Sequence, residues 1–115
     1  MIQQLYTQSA LAIGATEVDL TSGTGSIATN TDAGLVQLML DLGNLVTGDV
    51  FELRRYEKAR SGGTQRGDVV KVFTGAQPAN TFYSLQEPLS DGWAYTLKRT
   101  SANNRNVDVS VRVLS

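Results

Sequence analysis

Over several stretches of the chain apolar residues fall at every second position, the period of strands with one buried face. Val36, Leu38, Leu40 and Leu42 alternate with Gln37, Met39, Asp41 and Gly43. After a Thr47-Gly48-Asp49 turn, the run from Val50 to Ala59 sets Phe51 and Leu53 on one side and Glu52 and Arg54 on the other. Gly62-Gly63 reverses the chain, and Val69 to Phe73 returns as a hairpin partner. A strand from about Asn80 to Gln86 lies between the two prolines, Pro78 and Pro88, which cannot donate to a ladder and belong outside it or at an edge. An Asp91-Gly92 turn precedes Trp93, Tyr95 and Leu97 on one face of the next strand. The loop Ser101-Ala102-Asn103-Asn104 is read as closing a hairpin onto the row Val107, Val109, Val111 and Val113.

The first third is less regular. Leu11 to Ile13 and Val18 to Leu20 read as short strands, and Thr21 to Gly34, rich in Gly, Ser, Thr and Asn, as a long connection with room for one edge strand. Leu35 to Leu45 comes nearest to a helix, but its apolar residues alternate and no capping box precedes it. Seven or eight short strands at intervals of about ten residues predict an all-β fold, an antiparallel β-sandwich with jelly-roll connections among its possible topologies and no significant helix. Residues 10–115 form the single sandwich domain. Residues 1–9, whose Ile2, Leu5 and Tyr6 do not alternate cleanly, are either a first edge strand or an N-terminal arm that orders on a neighbouring subunit.

Composition narrows the chemistry. A domain of 115 residues holds an ordinary core without staples. The absence of both cysteine and histidine removes disulfides, thiolate nucleophiles, Ser-His relays and nearly every zinc site. The first residues carry neither a basic region nor an apolar one, and no apolar run reaches membrane-spanning length, so a soluble, unsecreted chain without a membrane partner is expected. All six charged residues before Arg54 are acidic, whereas ten basic residues meet five acids from Arg54 onward. The two halves either cancel across one domain or set the orientation of neighbouring copies. The overall basic excess that nucleic acid demands is missing.

Gly23-Thr24-Gly25-Ser26-Ile27-Ala28 matches a dinucleotide-loop pattern, but Thr29 to Gly34 is no helix to receive a pyrophosphate, so no cofactor is expected. Asp49, Glu52 and Glu57 are the candidate catalytic carboxylates; Glu52 and Glu57 have opposite strand parity, and charged residues on a wet strand face need no chemistry, so neither a catalytic nor a metal site is assigned. Trp93 and Tyr95 read as core anchors, with a sugar-stacking platform shared with Tyr56, Phe82 and Tyr83 as the alternative. Arg54, Arg55, Arg60, Arg66 and Arg99 gather largely around the Gly62-Gly63 hairpin, where guanidinium groups would meet an acidic neighbour.

Thr47-Gly48-Asp49-Val50-Phe51-Glu52-Leu53-Arg54, Tyr56-Glu57-Lys58, Ser61-Gly62-Gly63-Thr64 and Gly92-Trp93-Ala94-Tyr95-Thr96-Leu97-Lys98 together resemble small virion-associated proteins of tailed bacteriophages, over about residues 36 to 114. The resemblance implies a non-catalytic head decoration or cement protein, made in the host cytoplasm and carried on the capsid exterior. Its partners would be the major capsid protein and copies of itself, a trimer being favoured. On that reading Ile2, Leu5 and Tyr6 are arm contacts, and Arg54, Arg60 and Arg66 charged contacts. A tail or neck protein with a carbohydrate- or receptor-binding sandwich is the alternative.

Overall fold

The computed structural model describes the backbone of residues 2–114 and the side chains of residues 3–114. Among these residues there are nine strands and no helix: β1 (Ile2–Ile13), β2 (Val18–Asp19), β3 (Gly34–Asp41), β4 (Val50–Lys58), β5 (Gln65–Thr74), β6 (Thr81–Tyr83), β7 (Glu87–Leu89), β8 (Ala94–Ser101) and β9 (Arg105–Leu114). They form two antiparallel sheets. One runs β1-β9-β3-β6, with β7 also on β3; the other runs β2-β8-β4-β5. The chain is therefore an all-β sandwich. The count exceeds the seven or eight expected: the Asn80 to Gln86 strand is cut to β6, and a further short strand, β7, follows where it was expected to end. β6 and β7 lie end to end along β3, and between them Ser84 serves β3 twice, its hydroxyl accepting from Leu38 N at 2.9 Å and its own N–H donating to Leu38 O.

Side-chain alternation seals the interior. Val36, Leu38 and Leu40 of β3 and Val107, Val109, Val111 and Val113 of β9 face Phe51, Leu53, Tyr95 and Leu97 of the opposite sheet, all buried. Trp93 is wholly buried and lies edge-on to Tyr6 and Tyr95, with ring centroids 6.1 and 6.3 Å away. Phe73 of β5 meets Phe82 of β6 edge to face across the layers at 5.0 Å. Trp93 also donates from Nε1 to Asp32 O at 2.8 Å, so its polar edge is satisfied inside.

Two local expectations are corrected. Residues 101–104 do not close a hairpin, since β8 and β9 belong to different sheets and this loop crosses between layers. β9 is instead the inner strand between β1 and β3. The Thr21–Gly34 connection holds no strand, only an isolated bridge from Asn30 to Trp93. Its shape is set by the buried Asp19 carboxylate, which accepts from the N–H groups of Thr21, Ser22 and Ala28 and from the Thr21 hydroxyl. The glycine pattern from Gly23 to Ala28 is thus a loop wound about an aspartate, not a turn opening into a helix.

Candidate interaction surfaces

The β4–β5 hairpin forms one edge of the second sheet. Cross-strand pairing sets Phe51 beside Phe73 and Leu53 beside both Leu97 and Lys71, facing inward, and Glu52 beside Val72 and Arg54 beside Val69, facing outward. Phe73 is buried against β6, but β6 is three residues long and leaves the rest of β5 without a facing layer. Arg66 to Val72 are exposed throughout, Val69 and Val72 because they lie on the outward face and Lys71 because, on the inward one, it extends past β6. Val69 and Val72 retain 47 and 49% of their surface on the outward face and Val70 retains 37% at the register shift between them, while Arg66 and Lys71 have the inward parity. A register shift opposite Leu53/Arg54 leaves Val70 unpaired on β5, with Lys71 next to it; both devices discourage another strand from adding to the edge. The hairpin therefore offers its faces and tip rather than its ladder.

The hairpin is held from one side. Tyr56 lies across Gly67, where a Cβ atom would come within 2.8 Å of the ring's Cζ and closer still to Cδ2 and Cε2. Its hydroxyl donates to Glu17 at 2.6 Å, and Thr96 donates to the same carboxylate. Burial and the adjoining Glu17 carboxylate together hold the Tyr56 phenol above its ordinary range. Gln65 donates to Ala28 O and Gly92 O, both at 2.7 Å, tying the far end of the hairpin to the loops around Trp93.

The residues singled out from the sequence do not gather. Arg60 and Arg66 lie at the exposed end of the hairpin, Arg60 donating to Ser61 O. Arg54 is bound to Glu52 at 2.6 Å on the outer sheet face, and Arg55 reaches Glu87 of the other sheet at 2.5 Å. Of the two alternatives for the N-terminal segment the structure has the edge strand: residues 2–13 pair along β9. Leu5 packs against the chain's own core, and Tyr6 packs there too, donating to Asp32 at 2.7 Å. Ile2 pairs with Leu114 through its backbone, and its side chain lies outside the described residues. Of the three carboxylates, Asp49 lies in no cleft. It is buried and held by Arg105 at 2.7 Å, while Glu52 is engaged by Arg54 and Lys98.

A second surface lies on the other sheet and holds one residue of the aromatic alternative. The outer face of the β1-β9-β3-β6 sheet carries Tyr83, 51% exposed, with the Arg112 guanidinium 5.9 Å from its ring centre. A depression of about 120 Å³ beside them is lined by Leu35, Gln37, Gln86, Arg112 and Leu114. Trp93 and Tyr95 are wholly buried, so the aromatic platform first considered is reduced to Tyr83, with Tyr56 committed to Gly67 and Phe82 to Phe73. Neighbouring positions of a strand face opposite ways, and that separates Tyr83 on the outer face from Phe82 on the inner one.

No protein-family model matches the chain, and no curated protein does. Among solved structures it is similar to the CBM22-1 and GH10 modules of endo-1,4-β-D-xylanase 10B of Clostridium thermocellum, complexed with xylohexaose, at 10% identity and a TM-score of 0.59. The match covers the whole chain and 29% of that structure's length. The Yersinia pseudotuberculosis-derived mitogen is similar at 14% identity and a TM-score of 0.47, over 100% of this chain and 87% of that one. A xylan-binding CBM 22 domain is similar at 13% identity and a TM-score of 0.45, over 85 and 64%. At such identities the likeness is one of fold.

Proposed function

We propose that the chain is a bacteriophage capsid decoration protein, a non-catalytic sandwich that attaches to the outer lattice through its β4–β5 hairpin. Its partners on this reading are the major capsid protein and copies of itself, in a trimer. The observation that carries it is the edge strand β5, whose Val69, Val70 and Val72 stay half-exposed on the outward face of the sheet and at its register shift. Covering each on docking contributes about 1 kcal/mol, and Arg60 and Arg66 at the tip add orientation toward an acidic lattice. The turn-and-strand resemblance to virion proteins supports the same reading, as does a hairpin that resists strand addition yet offers half-exposed valines.

The test is co-sedimentation with shells of the major capsid protein. A Val69→Ser/Val72→Ser variant and an Arg60→Glu/Arg66→Glu variant each should bind at least about tenfold more weakly while melting like the parent. Undiminished occupancy by the valine variant would overturn the proposal. Equal affinity with a smaller salt dependence in the arginine variant would confine those two residues to the rim.

A different surface favours a second reading, glycan binding. Tyr83 and the depression beside it join an exposed ring to amide and guanidinium donors, and the xylanase structure to 29% of whose length this fold is similar is complexed with xylohexaose. Titration with xylohexaose, with Tyr83→Ala as control, tests it; no heat and no shift in melting at millimolar sugar would dismiss it.

A further inference from the structure

We infer that the outer face of the β1-β9-β3-β6 sheet takes an acidic oligosaccharide, its carboxylate on Arg112 and one sugar ring on Tyr83; this rests on the second reading above. Arg112 is on an inner strand, flanked at the level of its Cα by Gln37 on β3 and Gln4 on β1. Among the described residues the ion pairs join Arg54 and Lys98 to Glu52, Arg55 to Glu87 and Arg105 to Asp49, and none involves Arg112. Its partners are the Met39 sulfur, 3.1 Å from Nη2, and the face of Tyr83. A thioether is a weak acceptor, so most of a five-donor fork remains unspent. The carboxylates on the same face, Asp41 and Asp108, sit side by side toward the far end, Asp108 four residues along β9 and therefore about 13 Å away.

The surroundings suit a sugar. Leu35 and Leu114 give an aliphatic floor, and Tyr83 gives a ring face for the C–H side of a pyranose. Gln37 spends its amide nitrogen on Ser84 O at 3.3 Å and leaves its oxygen free to accept a hydroxyl; Gln86 lines the same depression. A second depression of about 440 Å³ shares Leu35 and Leu114 and continues past Pro88 and Ser90, so the surface extends beyond one ring. A guanidinium covered by neutral sugar would lose water without gaining a counter-charge, whereas a carboxylate takes two of its donors in a fork.

The experiment is calorimetric titration of the intact chain with hexagalacturonate, 3′-sialyllactose and xylohexaose, repeated with Arg112→Gln, Arg112→Lys and Tyr83→Ala after their melting curves are matched. An acidic sugar should bind about tenfold tighter than xylohexaose; Arg112→Gln should erase that preference, Arg112→Lys keep part of it, and Tyr83→Ala weaken every sugar. Equal affinity for xylohexaose and the acidic sugars overturns the acidic assignment and leaves glycan binding standing. Binding of none of the three overturns both, and a preference that survives Arg112→Gln overturns the role of Arg112.

Discussion

Replacing Gly67 by alanine tests how the hairpin is held. The new methyl carbon would stand within 3 Å of three Tyr56 ring atoms, too close for any real contact, so the ring must swing off β5. Overpacking of this kind costs about 1–3 kcal/mol, while removing a glycine from the unfolded chain returns about 0.4–1 kcal/mol. The net expectation is a loss of about 1–2 kcal/mol, a fall in melting temperature of roughly 5–10 °C. Urea unfolding followed through the buried Trp93 measures it, with the slope unchanged if the unfolded state is unaffected. In a Tyr56→Ala background the obstruction is gone, and Gly67→Ala becomes neutral or mildly stabilising, a coupling of about 1 kcal/mol or more. An equal cost in both backgrounds would refute the packing account.

Two further outcomes concern charge. Hydrogen bonding from Arg105 and from Val46 N holds the Asp49 carboxyl below the usual carboxylate range. Its contribution is present above the unfolded value near 4 and lost as pH falls through the folded one, so Asp49→Asn should cost about 2 kcal/mol at neutral pH and flatten the acid limb of a stability-against-pH curve; parallel limbs would contradict this. Burial, then the hydrogen bond to Asp32, pushes the Tyr6 phenol up to about 12. Its contribution is complete below about pH 10 and lost as pH rises toward the folded value, so Tyr6→Phe should reduce the alkaline loss of stability, and identical alkaline slopes would count against it.

What could be read in advance follows from the range of the forces involved. The rows Val36 to Leu42 and Val107 to Val113 were plain because strand parity is local, and burial of one face follows from it. The crossing at residues 101–104 was misread because a four-residue polar loop suits a hairpin as well as a step between layers, and only the pairing of β9 with distant β1 and β3 decides. Val69 to Phe73 is legible as the hairpin partner of β4, but the register shift that puts Val69 and Val72 on the outward face shows only in the pairing of the two strands. Asp49 and Arg105 are 56 positions apart, and Tyr83 meets Arg112 only through strand order, so neither pair has a local signature. The Ile2-Leu5-Tyr6 segment looked unanchored because its irregular spacing reflects two register shifts against β9.

Hydrogen–deuterium exchange of the chain, free and bound to shells of the major capsid protein, tests the docking surface directly. Slowed exchange confined to residues 58–74, with the β1-β9-β3-β6 face unchanged, is the predicted result. Protection centred on Gln37, Tyr83 and Arg112 with a freely exchanging β5, or no protection at all, would contradict it.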